Sequence, residues 1–78
     1  MAEVVLYTRE GCSLCDKAKA IILAVRREIA FDFREIDIGW SGELYEDYKH
    51  DIPVLEIDGK RAFKHRVDPA ALKEWLSS

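Results

Sequence analysis

A chain of 78 residues is one small domain, 1–78, with room for a single modest core. Its 49% hydrophobic and 35% charged content is the balance of a soluble globular protein, which excludes disordered, fibrous and membrane-embedded classes. The net charge of −3 excludes the basic footprint of a nucleic-acid binder, and the apolar run Ala20–Val25 is far short of the roughly 20 residues that cross a bilayer.

The N-terminus, Met1-Ala2-Glu3-Val4, lacks a basic segment followed by a cleavable apolar core, so a cytoplasmic location with reduced thiols is expected. Val4-Val5-Leu6-Tyr7 is a continuous apolar run, as in a central strand buried on both faces. Leu14, Ala18, Ile21, Ile22, Val25 and Ile29 recur at helical spacing and predict a helix from about Ser13 to Glu28, with Cys12 near its N-cap. Phe31-Asp32-Phe33 alternates like a strand. The alternation slips before Ile36 and Ile38, which predicts a bulge or an early strand end.

Gly39-Trp40-Ser41-Gly42 is a turn, and Ser41 is the expected cap of a short helix through about Lys49 with Leu44, Tyr45 and Tyr48 on its inner side. Pro53 to Ile57 reads as a third strand. Asp58-Gly59 signals a two-residue hairpin that returns through Lys60 to His65. Asp68-Pro69, a cap followed by proline at the first helical position, opens a last helix through Leu76 with Ala71, Leu72, Trp75 and Leu76 on its apolar side. Trp40, Trp75, Tyr45 and Tyr48 are expected in or half in the core. The basic residues Lys60, Arg61, Lys64 and Arg66 read as a solvated strand and turn. The order is β-α-β-α-β-β-α, with the first two strands parallel across a helical crossover and the last two an antiparallel hairpin.

Cys12 and Cys15 are the only two cysteines. A Cys-x-x-Cys turn between a strand and a helix is the context in which the pair is redox-active: one thiolate attacks a disulfide and a second thiol resolves the mixed disulfide. As a staple the pair is weak, about 2 kcal/mol when the loop-entropy relation is stretched to so short a loop. Two buried small hydrophobes, or half a zinc site, are the rival readings. His50 and His65 are fifteen positions apart and match no zinc-finger spacing.

Nearly the whole chain resembles a glutaredoxin of the thioredoxin superfamily. Tyr7-Thr8-Arg9-Glu10-Gly11-Cys12-Ser13-Leu14-Cys15 stands where that family carries a strand, a basic residue and the active Cys-x-x-Cys. Lys17-Ala18-Lys19, Phe33-Arg34-Glu35-Ile36-Asp37 and Asp58-Gly59 continue the pattern. Asp51-Ile52-Pro53-Val54 takes the place of the family's Thr-Val-Pro motif, whose proline is cis and faces the active cysteine. Ser13-Leu14 replaces the usual Pro-Tyr, Asp51 replaces Thr and brings a negative charge towards the thiolate, and Phe63 to Val67 lacks the Gly-Gly pair that admits glutathione.

The resemblance implies an α/β, thioredoxin-like (glutaredoxin-type) fold with a four-stranded mixed sheet flanked by three helices. It implies a monomeric thiol–disulfide oxidoreductase with Cys12 as the attacking thiolate and Cys15 as the resolving thiol. Cys12 is expected to have the lowered pKa of the two. Arg9, Ile52, Pro53 and Asp68 are the substrate-binding candidates, and Ile52 and Pro53 are expected to offer backbone groups to an extended substrate. Tyr7 is a candidate groove residue. No metal and no prosthetic group is implied. The expected partners are a disulfide-containing protein and a reductase, with glutathione a weak reductant, and neither nucleic acid nor membrane. The alternative of another class is a non-enzymatic binding protein or an iron–sulfur or metal carrier, which colour and iron content would reveal.

Overall fold

The computed structural model describes residues 2–77 and runs β1 (Glu3–Thr8), α1 (Ser13–Arg26), β2 (Asp32–Asp37), α2 (Glu43–Tyr48), β3 (Val54–Ile57), β4 (Lys60–Lys64) and α3 (Pro69–Ser77). One sheet forms in the order β2-β1-β3-β4, with β1 parallel to β2 and antiparallel to β3. β1 is thus an interior strand, which is why its apolar run shows no polar alternation: Val4 and Leu6 are 0% exposed and Val5 9%. The hairpin turns at Asp58 and Gly59 with φ of 51° and 83°, left-handed values that a type I′ turn requires at both central positions.

The core lies on one face of the sheet. Val4 and Leu6 of β1 and Leu55 and Ile57 of β3 meet Ala18, Ile22 and Val25 of α1 and Leu72 of α3 there. The opposite face is thinner, because α2 is six residues long and buries none of them.

Several local expectations are corrected. α1 ends at Arg26, short of Glu28, because its last turn tightens: Arg27 and Glu28 donate to the carbonyls three residues back, Ala24 and Val25. β2 has no slip before Ile36; its register with β1 is unbroken from Asp32 to Asp37, and Phe33 and Ile36 simply lie on opposite faces. The irregularity lies instead in β3, between Leu55 and Glu56. α2 is capped by Gly42 at φ 100°, and Ser41 makes no cap. Leu44 and Trp75 are each 41% exposed and Trp40 is 67% exposed, so neither tryptophan is in the core. β4 stops at Lys64 because His65 adopts φ 67° and turns the chain towards α3. No helix among the described residues is long and apolar enough to cross a membrane.

Candidate functional site

The site forms where β1 hands over to α1. After Thr8 the chain turns tightly, with the Cys12 N–H donating to the Arg9 carbonyl at 3.2 Å. Gly11 sits inside this turn at φ 83°, a conformation that side chains with a Cβ resist. Cys12 is the N-cap of α1, and its Sγ accepts a hydrogen bond from the Cys15 N–H at 3.1 Å. The sulfur therefore does what a Ser or Asp oxygen does at other helix starts, and an anionic sulfur would be favoured there by the same donor and by the helix dipole. Cys12 and Cys15 are joined as a disulfide with Cα atoms 5.2 Å apart. The two cysteines are not equivalent: Cys12 is half-buried, whereas Cys15 is 3% exposed.

The Ile52–Pro53 bond is cis. The segment around it is pinned from both sides. Asp51 and Ile52 donate their N–H groups to the Tyr48 carbonyl at 2.9 and 3.1 Å. From the other side the His65 N–H donates to the Pro53 carbonyl at 2.8 Å, and the His65 Nε2 lies 2.9 Å from the His50 carbonyl. The expectation that Ile52 and Pro53 both offer free backbone groups needs correcting: the Ile52 N–H and the Pro53 carbonyl already have internal partners.

Other singled-out residues have internal partners too. The Arg9 guanidinium stacks over Trp40 at 4.2 Å and lies 5.9 Å from the Tyr45 ring, and its Nε is buried without a hydrogen-bond partner among the described residues. Asp68 caps α3, accepting from the Ala71 N–H at 2.9 Å. The Asp51 carboxylate pairs with Arg61 at 3.2 Å, so its charge is partly neutralised. Among the described residues no cluster of three or more His, Cys, Asp or Glu side chains is arranged to hold a metal ion.

Behind the turn lies a network that pattern reading missed. Tyr7 and Tyr48 stack with ring centroids 4.2 Å apart, the Tyr48 hydroxyl donates to Glu56 at 2.8 Å, and Arg61 covers Tyr48 at 4.6 Å. The one available signal was Glu56 itself, a charge inside the apolar strand Val54-Leu55-Glu56-Ile57. Burial first, and then hydrogen bonding to Glu56, hold the Tyr48 hydroxyl well above its ordinary value of 10.0. The unfolded chain therefore loses this proton first as pH rises. The stabilisation is whole below pH 10 and is lost as pH climbs towards the folded value. Tyr48→Phe should thus be destabilising at about pH 8, and the gap to the unsubstituted chain should narrow by about pH 11. Guanidinium midpoints across that range check this; a gap that widens would contradict it.

Two clefts flank the start of α1. One, of about 440 Å³, is lined by Glu10, Asp16, Glu35 and Asp37 together with Arg9 and Cys15. The other, of about 240 Å³, lies between Leu14, Lys17 and Ile21 of α1 and the His65-Arg66-Val67 segment.

A half-exposed cysteine at a helix N-cap, bonded to a buried one a turn further on, at the end of a parallel strand, is the site of a thioredoxin-like fold, and the comparisons agree. Residues 3–77 match the family described as a Glutaredoxin-like domain (DUF836), and the chain belongs to that family. It is 44% identical to a "Glutaredoxin-like protein YDR286C homolog" of Dictyostelium discoideum, a match over 80% of this chain. The chain spans 63% of the length of that relative. Among solved structures, protein Ne2328 of Nitrosomonas europaea superposes with a TM-score of 0.81 at 26% identity, covering 96% of this chain and 91% of that one. Protein XcR50 of X. campestris superposes at 0.79 with 30% identity, covering 95% of each. A thioredoxin of Halobacterium salinarum, at 17% identity, TM-score 0.71 and coverage of 97% of this chain and 72% of that one, shares the fold.

Proposed function

We propose that this chain is a thiol–disulfide oxidoreductase that reduces disulfides in protein substrates. The asymmetry of the cysteine pair carries the reading: the reachable Cys12 is at the helix N-cap and Cys15 is 3% exposed beneath it. In the reduced form, the Cys12 thiolate attacks one sulfur of the substrate disulfide. A Cys12–substrate bond forms, the substrate S–S bond breaks, and the second substrate sulfur leaves as a thiolate and takes up a proton. Cys15 then gives up its proton and attacks the Cys12 Sγ. The Cys12–Cys15 disulfide forms, the mixed disulfide breaks, and the first substrate sulfur leaves as a thiol. Two electrons pass from the cysteine pair to the substrate. A dithiol donor, or two molecules of glutathione, would return them.

The Ile52 carbonyl is the backbone group we assign to pairing with substrate beside the cis bond. Arg9, held flat by Trp40, and Asp68, engaged in capping α3, border the site in this reading. No prosthetic group takes part, since the two sulfurs carry the electrons, and the protein works as a cytoplasmic monomer.

The test is a reduction assay with two electron sources, glutathione with its reductase and thioredoxin with its reductase. Slow turnover is expected with glutathione, because Phe63 to Val67 places side chains where the Gly-Gly pair of glutathione-binding glutaredoxins would be, and faster turnover with the dithiol donor. Activity in a glutathione-coupled hydroxyethyl-disulfide assay equal to that of a dithiol glutaredoxin measured alongside would overturn the order. Failure with both sources would overturn the function.

A further inference from the structure

The two clefts at the start of α1 carry opposite charge. At 100° per residue, Leu14, Lys17, Ala18 and Ile21 form one stripe of α1, and Asp16 and Lys19 point about 150° away from its centre. On the second side the 440 Å³ cleft gathers four carboxylates, with Arg9 in its lining and Lys19 paired to Glu35, so acid still outweighs base there. On the first side the 240 Å³ groove has an apolar floor, with Val67 buried, Ile21 half-buried and Leu14 41% exposed. Its charged rim is Lys17 and Arg66, both exposed; no carboxylate among the described residues lines it. Among the described residues the salt-bridged cations are Lys19, Lys49, Arg61 and Lys73, so neither Lys17 nor Arg66 has an acidic partner of its own.

We infer that this groove takes the segment of a protein substrate next to its reacting cysteine, and that the segment carries an apolar side chain flanked by acidic residues. The inference rests on the oxidoreductase reading and names its substrate class. From Leu14 to Ile21 the groove runs about 10 Å along α1, the length of about three residues of extended chain. An apolar side chain laid there removes Leu14 and Ile21 from water. Acidic neighbours meet the two cations that have no partner, and the carboxylates of the other cleft repel them from the opposite side. Substrate is therefore oriented by charge across the active turn.

Three disulfide-linked peptide dimers test this: Glu-Leu-Cys-Leu-Glu, Lys-Leu-Cys-Leu-Lys and Glu-Ser-Cys-Ser-Glu. Each rate of oxidation of the pre-reduced chain is divided by the same peptide's rate with dithiothreitol, which cancels intrinsic reactivity. The Glu-Leu peptide should react about tenfold faster than the Lys-Leu peptide in low salt, and the ratio should fall towards one near 1 M salt. The Glu-Ser peptide should lag the Glu-Leu peptide. In the double variant Lys17→Glu with Arg66→Glu the charge order should invert; because this is a ratio within one variant, any change in the Cys12 thiolate drops out. Equal rates for the two charges, or an order that survives the double variant, overturn the inference while leaving the oxidoreductase reading intact. Equal Glu-Leu and Glu-Ser rates remove its apolar half. A chain that reduces none of the peptides and no hydroxyethyl disulfide overturns the function and this inference together.

Discussion

Serine in place of Cys12 should reduce disulfide reduction to the background of uncatalysed exchange, while serine in place of Cys15 should leave the first half of the reaction running and stop the second. The difference follows from position. Cys12 is half-buried at the mouth of the turn, and Cys15 is 3% exposed behind it. A substrate sulfur can reach only the first. Once it has, the intended resolving group in Cys15→Ser is a hydroxyl, too weak a nucleophile to break the mixed disulfide. Incubation with oxidised protein substrates should therefore leave covalent adducts of Cys15→Ser that survive denaturing electrophoresis without reductant and vanish with dithiothreitol, and none of Cys12→Ser. The Cys12 substitution has a built-in control for folding. Its sulfur is the N-cap acceptor for the Cys15 N–H at 3.1 Å, and a serine hydroxyl is a good acceptor at that position. Reduced Cys12→Ser should thus keep the stability of the reduced parent to within about 1 kcal/mol. Adducts on Cys12→Ser and none on Cys15→Ser would reverse the roles.

The cysteine motif and most elements were legible because they depend on neighbours in the chain. The strand–turn–helix around Cys12, the Asp58-Gly59 hairpin and the Asp68-Pro69 helix start are local signals, and each is in place. Most of what was misread depends on partners that no apolar pattern announces. Ile36 looked like a slipped alternation because nothing local says that β2 uses both faces. Trp40 looked like core because of its size, yet it lies over the guanidinium of Arg9, distant in sequence. The backbone at Ile52 and Pro53 looked open because its partners, Tyr48 and His65, are contributed by the end of α2 and the residue after β4. The same holds for the groove: Lys17 and Arg66 lie forty-nine positions apart in sequence (66 − 17), and only the fold makes them two sides of one cleft.

Leu72→Ala should cost about 3–5 kcal/mol, and Leu23→Ala under about 1 kcal/mol. Leu72 is 0% exposed and is the one residue that α3 buries, so it joins that helix to α1 and the sheet. Truncation there removes apolar contact and leaves a cavity within a core whose other members, Leu6, Ile22 and Leu55 among them, are fully buried. Leu23 is on the outer side of α1 at 39% exposure, so its truncation opens towards water and leaves no enclosed cavity. A domain of this length has a total stability of order 4–12 kcal/mol, so the first change consumes a large part of it. At about 4–8 °C per kcal/mol, the melting temperature should fall by more than about 12 °C for Leu72→Ala and by only a few degrees for Leu23→Ala. Thermal melts by circular dichroism, with both variants in the same oxidation state, measure this. α3 also carries the segment that begins at Arg66, so loosening it should open the 240 Å³ groove before it disturbs the turn at Cys12. Leu72→Ala should accordingly lose its discrimination between acidic and basic peptides at temperatures where it still reduces hydroxyethyl disulfide. A melting shift for Leu72→Ala no larger than that for Leu23→Ala would mean that α3 does not close the core.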